Sequence, residues 1–436
     1  MKRNMNLKYI LATAFALPLG LQAQGSHHLE AYRAQVRNYS KDLRAAVLSS
    51  RIKQEQQQSA KADFLPSLSG QAHYQYTGQP LRLSKEVPGL AVPIELEGRH
   101  QQYGATLTLA QPLYTGGALK AKYEKAKTET TMSQLEIQRI TNDLLYDADV
   151  HYWNKVARQE MTRVAGNFRQ SVASLVEVVK ERVEEGYTDR NDLLMAEVKL
   201  NDADFRLVQA RNDEEVARLA LHSFAGIPSD SILVTDSLLC PVPETLYSGN
   251  AQEDALMQRP EIHLAESNTN TQKSAAQIAN ANFRPHVSIG IDGSYTAPGY
   301  DFRSDLDPNY AIYAKLSIPI YEWGKRENTR QAGKHAISIA LENEQNVRDQ
   351  ILLETETACC NLQLATDKVK LTEKSLEKAA ESEQLATDKY KEGEVSIVEV
   401  INAQLFHLEA QINHIQSKLN AQIAYSALCR ARGAYL

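Results

Sequence analysis

The sequence predicts a mostly α-helical chain that also carries a transmembrane β-barrel and is built from two internal repeats. Three observations predict it. Two strand-to-helix joints recur, QPLYTGGALKAKYEKAK from Gln111 and IPIYEWGKRENTRQAGK from Ile318; a long proline-free helical stretch follows each; and four segments alternate apolar and polar residues over barrel length.

The chain opens on an expected export signal, residues 1–23. Lys2, Arg3 and Lys8 flank an apolar run from Tyr9 to Leu21, with cleavage expected near Ala23. The run is too short and too poorly flanked for a spanning helix, the alternative being an uncleaved anchor. No cysteine lies near the cleavage site, so no lipid anchor is expected there. The formal charge of −6 argues against nucleic acid as a partner. No later segment approaches ~18 unbroken apolar residues, so entry into a membrane would require a β-barrel, where every backbone group is paired.

The first repeat is expected over residues 24–226 and the second over 251–436. At an offset of 207 residues Tyr103 falls on Tyr310, Pro112 on Pro319, Tyr114 on Tyr321, Gly117 on Gly324, Gly186 on Gly393 and Gly226 on Gly433. Each repeat reads helix, strand, loop, strand, long helix, turn, helix. Strands are expected at 67–76, 103–111, 287–296 and 310–318. In the first, Leu68, Ala72, Tyr74 and Tyr76 oppose Ser69, Gln71, His73 and Gln75; in the second, Tyr103, Ala105, Leu107 and Leu109 oppose Gly104, Thr106 and Thr108. Each is close to the ~9–11 residues that cross a bilayer at a tilt. Tyrosines near strand ends suit an interfacial girdle.

Pro112, Gly116, Gly117, Pro319 and Gly324 mark the joints between barrel and helix. Each proline removes a ladder donor, so strand pairing is expected to end there. Long helices follow at 118–185 and 325–392, each roughly 100 Å at ~1.5 Å per residue. Gly186 and Gly393 stop them, and return helices follow at 188–225 and 395–430. Ile397, Ile401, Leu405, Leu408, Ile412, Ile415, Leu419 and Ile423 form a seam with the three-four spacing of an antiparallel coiled coil. Residues 227–250, rich in proline and serine, read as a connector along the helical body.

Four strands cannot close a membrane barrel, since the smallest have ~8. Three chains would supply 12 strands and a matching ring of helices. Catalytic chemistry is not in view: there is no P-loop, GxSxG, HExxH or nucleotide fingerprint, so no enzyme and no cofactor is expected. His407 and His414 stand seven residues apart on one helix face, too far to share a metal. Cys240, Cys359, Cys360 and Cys429 show no CxxC spacing.

With QPLYTGG, the paired halves and GEVSIVEVINAQ at the second turn, the chain resembles the TolC-type outer-membrane efflux protein family over essentially its full mature length. The resemblance implies a homotrimer with one shared barrel in the outer-membrane lipid and a helical tunnel across the periplasm. It further implies docking onto a periplasmic adaptor, or membrane fusion, protein and an inner-membrane pump of RND or ABC type, which drives substrates out through a passive duct. At the tunnel entrance Tyr390 matches the family's linking tyrosine and Asp192 its partner, while Glu399 and Asn402 match an acidic pair. Asn402 replaces an acid, and Val395 stands where the family has an arginine, so closure is expected to weaken or to move to Arg190. Glu399, repeated three-fold, would ring a constriction with negative charge, the usual device for cation preference. Gly186, Tyr187, Gly393, Glu394, Val395 and Ser396 at the helix tips would face the adaptor. The alternative is an exported periplasmic coiled-coil or adaptor protein without a pore.

Overall fold

The computed structural model describes residues 27–80, 82–85, 88, 94–242, 251–299 and 305–435. The expected export signal and the end of the connector, 243–250, lie outside the described residues. In chain order the elements are α1 (His27–Tyr39), α2 (Lys41–Ala62), β1 (Ser67–Tyr76), β2 (Arg82–Lys85), β3 (Ile94–Glu97), β4 (Gln101–Thr115), α3 (Ala118–Glu184), α4 (Arg190–Ala225), α5 (Ala251–Gln258), α6 (Pro260–Ala281), β5 (His286–Ala297), β6 (Asp307–Ser317), α7 (Lys325–Glu392) and α8 (Ile397–Arg432). They divide into two compact units. One comprises Met1–Tyr39, Leu145–Gly249 and Cys359–Ala427; the other comprises Ser40–Leu144, Asn250–Ala358 and Leu428–Leu436.

The long helices lack interior proline, and glycine ends them. α3, α4, α7 and α8 all stop at a glycine with positive φ: Gly186 (78°), Gly226 (65°), Gly393 (82°) and Gly433 (73°). At each, two backbone N–H groups fold back onto last-turn carbonyls, as where Gly186 N donates to Val183 O and Tyr187 N to Arg182 O. A side chain at Gly226 would drive its Cβ into the ring of Tyr39, at 2.1 Å.

In the first unit α1 packs through Tyr32 and Val36, and the Tyr32 hydroxyl donates to Leu221 O at 3.0 Å. Arg33 clasps the fully buried Asp149 of α3 through Nε (2.7 Å) and Nη2 (2.6 Å), and Ser426 of α8 donates to the same carboxylate at 2.8 Å. A buried carboxylate is tolerable only with such partners. The described part of the connector runs along α3: Tyr152 donates to Asp236 (2.9 Å) and Lys155 to Thr235 (2.8 Å). In the expected α8 seam Ile397, Leu408, Ile415 and Leu419 are buried, whereas Ile412 is exposed and, with Val164, Phe168 and Ala210, lines an open groove of about 220 Å³. The 3.6-residue turn of a straight helix carries a three-four row off the packed face.

The second unit holds a four-stranded antiparallel sheet in the order β1-β4-β5-β6, with β2 and β3 forming a separate hairpin inside what the sequence reads as loop. The register lines up Leu68, Leu109, Ile291 and Ile312 in one apolar row, beside a row of the polar Ser69, Thr108 and Asp292 that ends on Ala311. The apolar face is bare: Ile312 is 73% and Tyr310 76% exposed. Pairing does not end at Pro112, contrary to the sequence expectation. β4 continues to Thr115 opposite His286, and a register shift between Pro112 and Tyr114 takes up the missing donor as a bulge. Pro319 lies beyond the end of β6. In the same unit Arg259 is buried and donates to the carbonyls of Arg430 and Ala431, closing the end of α8.

Candidate functional site at the helix turns

The α3–α4 and α7–α8 turns both belong to the first unit, and the helices leading into them pack together. Leu175 and Val179 of α3, Ala196 of α4, Tyr390 of α7, and Ile397 and Val400 of α8 form one buried cluster, with Val183, Leu193 and Val395 against it. Their three-four spacing puts them on facing stripes. Val395, expected to mark a lost salt bridge, therefore serves as packing.

Tyr390 is 3% exposed, and its hydroxyl has no hydrogen-bond partner within 3.5 Å. Burial pushes its pKa above the ordinary value of 10.0; the nearby Asp192 carboxylate adds to the rise, while Arg182 and Thr188 oppose it. Asp192 is held in turn by the Thr188 hydroxyl, which donates to it. Tyr390 and Asp192 thus share one environment.

The cation in that environment is Arg182, from the last turn of α3, which the sequence reading does not single out. Its Nη1 donates to Tyr390 O (2.6 Å), which also accepts from Gly393 N, and to Lys391 O (3.1 Å), both in the last turn of α7, and its guanidinium carbon lies 5.0 Å from the Tyr390 ring centroid. Arg190, expected to take over the link, makes no ion pair among the described residues. A basic residue four before a helix-ending glycine is the available sequence signal, but it reads first as a partner of its own helix dipole.

Gly186, Tyr187, Gly393, Glu394 and Ser396 are exposed at the tips. Glu399 and Asn402 are exposed on α8, away from the cluster, one turn apart on the same face. Further along the helices Glu383, His407, Ser171 and Gln404 form a polar chain: Ser171 donates to Glu383 (3.1 Å), Gln404 donates to Ser171 (3.1 Å), and His407 pairs with Glu383. His414 instead meets Thr372 at 3.2 Å, so the two histidines serve separate contacts.

At the joints, Gly116 (φ 66°) is forced to be glycine: a Cβ there would stand 2.5 Å from Ala281 O. Gly117 and Gly324 also have positive φ, and no atom lies within 4 Å of a Cβ built at Gly324.

A family profile described as outer membrane efflux protein matches residues 32–226 and 251–434. The pyoverdine export outer membrane protein OpmQ of Pseudomonas putida is 20% identical over 398 residues, covering 91% of this chain and 84% of OpmQ. The alkaline protease secretion protein AprF of Pseudomonas aeruginosa is 24% identical over 246 residues, covering 53% of this chain and 49% of AprF, so that match spans about half of the relative. Among solved structures the outer-membrane channel OprN superposes with a TM-score of 0.78 at 17% identity, covering 93% of this chain and 90% of OprN, a likeness of fold. The chain belongs to the outer membrane efflux protein family and is an outer-membrane channel for efflux.

Proposed function

We propose that three copies of this chain close one 12-stranded barrel in the outer membrane and one helical tunnel below it, forming the passive exit duct of a tripartite system. The bare apolar face of the sheet carries this reading, because a soluble sheet buries its apolar face against a core. Among the described residues β1 and β6 each pair with a single strand. In lipid each unpaired backbone group would cost several kcal/mol, so the edges require further copies. Exposed Leu194, Val198, Phe205, Val208, Val216 and Leu219 on α4 recur at helical spacing and would be covered by the same assembly.

In this duct the helix turns form the periplasmic entrance. Arg182, donating to the Tyr390 and Lys391 carbonyls, and the packing of Tyr390 in the shared cluster beside Asp192 hold the two hairpins of each chain together. Glu399 with Asn402 rings the opening, and Gly186, Tyr187, Gly393, Glu394, Val395 and Ser396 receive a periplasmic adaptor protein. An inner-membrane pump of RND or ABC type supplies the energy. One relative is named for pyoverdine export and another for alkaline protease secretion, which fits a duct whose cargo is chosen by its pump. The test is the native mass of the protein extracted in mild detergent from outer-membrane fractions. A three-chain mass is expected; a monomer in the soluble fraction would overturn the reading.

A further inference from the structure

The two strand-to-helix joints repeat in sequence and differ in structure. QPLYT, from Gln111, completes β4 and pairs with β5 as far as Thr115 opposite His286. Its counterpart one repeat on, IPIYE from Ile318, is not in a strand: β6 ends at Ser317 opposite the first residue of β5, and among the described residues no strand lines its other edge. Next comes Gly116 in one joint and Trp323, 207 residues on, in the other, with φ 66° and 48°. Gly116 has no room for a side chain, since a Cβ would stand 2.5 Å from Ala281 O and 2.9 Å from Arg284 Cβ in the α6–β5 joint. Trp323 is 88% exposed, on a left-handed backbone that disfavours any residue with a Cβ. Strain held for an uncovered side chain points to something outside the chain.

The surroundings of Gly116 indicate what covers Trp323. The same repeat sets Phe64 on Phe283 and Pro66 on Pro285, so Ala62 and Leu65 of the α2–β1 joint correspond to Ala281 and Arg284 of the α6–β5 joint. The strand registers agree with that match: Ser67 opposes Ala110, and His286 opposes Ser317. Within one chain the α2–β1 and β6–α7 joints lie at opposite edges of the sheet, three strand spacings or roughly 14 Å apart. They can meet only between copies. The α2–β1 joint has the room that the α6–β5 joint lacks: Gln58, Lys61, Ala62, Phe64, Leu65 and Tyr123 line an open cleft of about 630 Å³. Phe64 and Leu65 are exposed there, and Lys61 brings a cation that an indole face attracts.

We infer that Trp323 of one copy fills the α2–β1 cleft of the next, and that IPIYE completes its strand by pairing with β1 of that copy. Repeating the β4–β5 register across the boundary sets Glu322 opposite Ser67, and Ile318 opposite Gly70, of the next copy. Pro319 then takes the bulge that Pro112 takes within the chain. Knob and cleft lie on opposite edges of one chain, so the contact runs head to tail around a ring. A bulky side chain in a matching cleft fixes the register at a seam where strand pairing alone permits slippage. This contact rests on the shared barrel proposed above and adds to it the side chain that keys one copy to the next.

The test is a disulfide across the seam. A Cβ at Gly116 would stand 2.9 Å from Arg284 Cβ, so their counterparts Trp323 and Leu65 should approach the ~3.5–4.5 Å Cβ separation of a disulfide between copies, which they cannot do within one chain. Cys240, Cys359, Cys360 and Cys429 are first replaced by alanine. Mild oxidation of the Leu65→Cys/Trp323→Cys protein in outer-membrane fractions is expected to convert the monomer band to dimers and trimers on a non-reducing gel. Either single variant is expected to leave that band unchanged. Protein of three-chain native mass that gives no cross-link would overturn the contact alone, leaving Trp323 to lipid or water. A monomer by native mass would overturn the contact and the shared barrel together. If the cysteine pair itself prevents assembly, a bimane label on Gln58→Cys in the same background decides instead. Its emission is expected to rise when Trp323→Phe removes the quenching indole of the next copy, and equal emission with and without Trp323 would overturn the contact.

Discussion

Arg182→Ala should loosen the entrance. In the proposed duct, widening the opening separates the α7–α8 turn from the α3–α4 turn, and Arg182 donates from the end of α3 to carbonyls at the end of α7. A hydrogen bond from a charged group contributes about 1.5–3 kcal/mol, and a cation over an aromatic ring adds about 0.5–1 at exposed sites. Because Arg182 is half-exposed, solvent screening brings the sum to about 2 kcal/mol. At about 1.4 kcal/mol per factor of ten, the closed-to-open ratio should fall about 30-fold. Single-channel recording in planar bilayers reads this as a rise in the open fraction. Arg182→Lys retains a charge but loses the planar fork, and should fall between the two. Unchanged assembly on a native gel would localise the effect to the entrance. Open fractions of Arg182→Ala and wild type that coincide would refute the reasoning.

Three further predictions follow from other parts of the molecule. Glu399→Lys should abolish or reverse cation preference in the same recordings; unchanged selectivity would remove Glu399 from the constriction. Leu107→Arg places a charge on the bare apolar face and should weaken assembly by roughly 2–4 kcal/mol if it sits near the bilayer middle, read as loss of assembled protein; a normal yield would mean that Leu107 faces water. His151 and His414 both have pKa values lowered from 6.5, each chiefly by burial, with Lys418 adding to the effect at His414; Asp147 opposes it at His151, and Glu373 and Glu160 at His414. The folded state favours their neutral forms, so their contribution is present above pH 6.5 and is lost as pH falls through the depressed values. The melting temperature should drop on acidification from about pH 7 to about pH 5, and less in His414→Gln; a flat profile would contradict this.

The fold was legible where one periodicity persists over many residues. The 3.6-residue pattern of α3 and α7, free of proline and closed by Gly186 and Gly393, leaves little choice of element, and the alternation around Leu107 and Ile312 is equally plain. The β2–β3 hairpin was not legible, because four-residue strands such as Arg82–Lys85 present too few alternations to stand out from a loop. Pro112 misled for a different reason: a lost donor ends pairing only when the strand cannot bulge, and bulging is settled by the partner strand. At the helix turns, the family resemblance singled out Tyr390 and Asp192, and the sequence did not single out Arg182. A side chain that reaches from one hairpin to the carbonyls of another leaves no periodic trace in either.

The strand order also dictates when the sheet can exist. β4 pairs with β5 across roughly 170–190 residues of intervening chain, from Thr115 opposite His286 to Tyr103 opposite Ala297. Loop closure on that scale must precede any of those ladder bonds, so this pairing is intrinsically slow. During synthesis and export, β1 and β4 can form only a two-stranded hairpin with apolar side chains in water, marginal alone and prone to add foreign strands. The chain must therefore pass through a period in which its helices can form and its future membrane face cannot, and any factor that shields exposed strands acts during that interval.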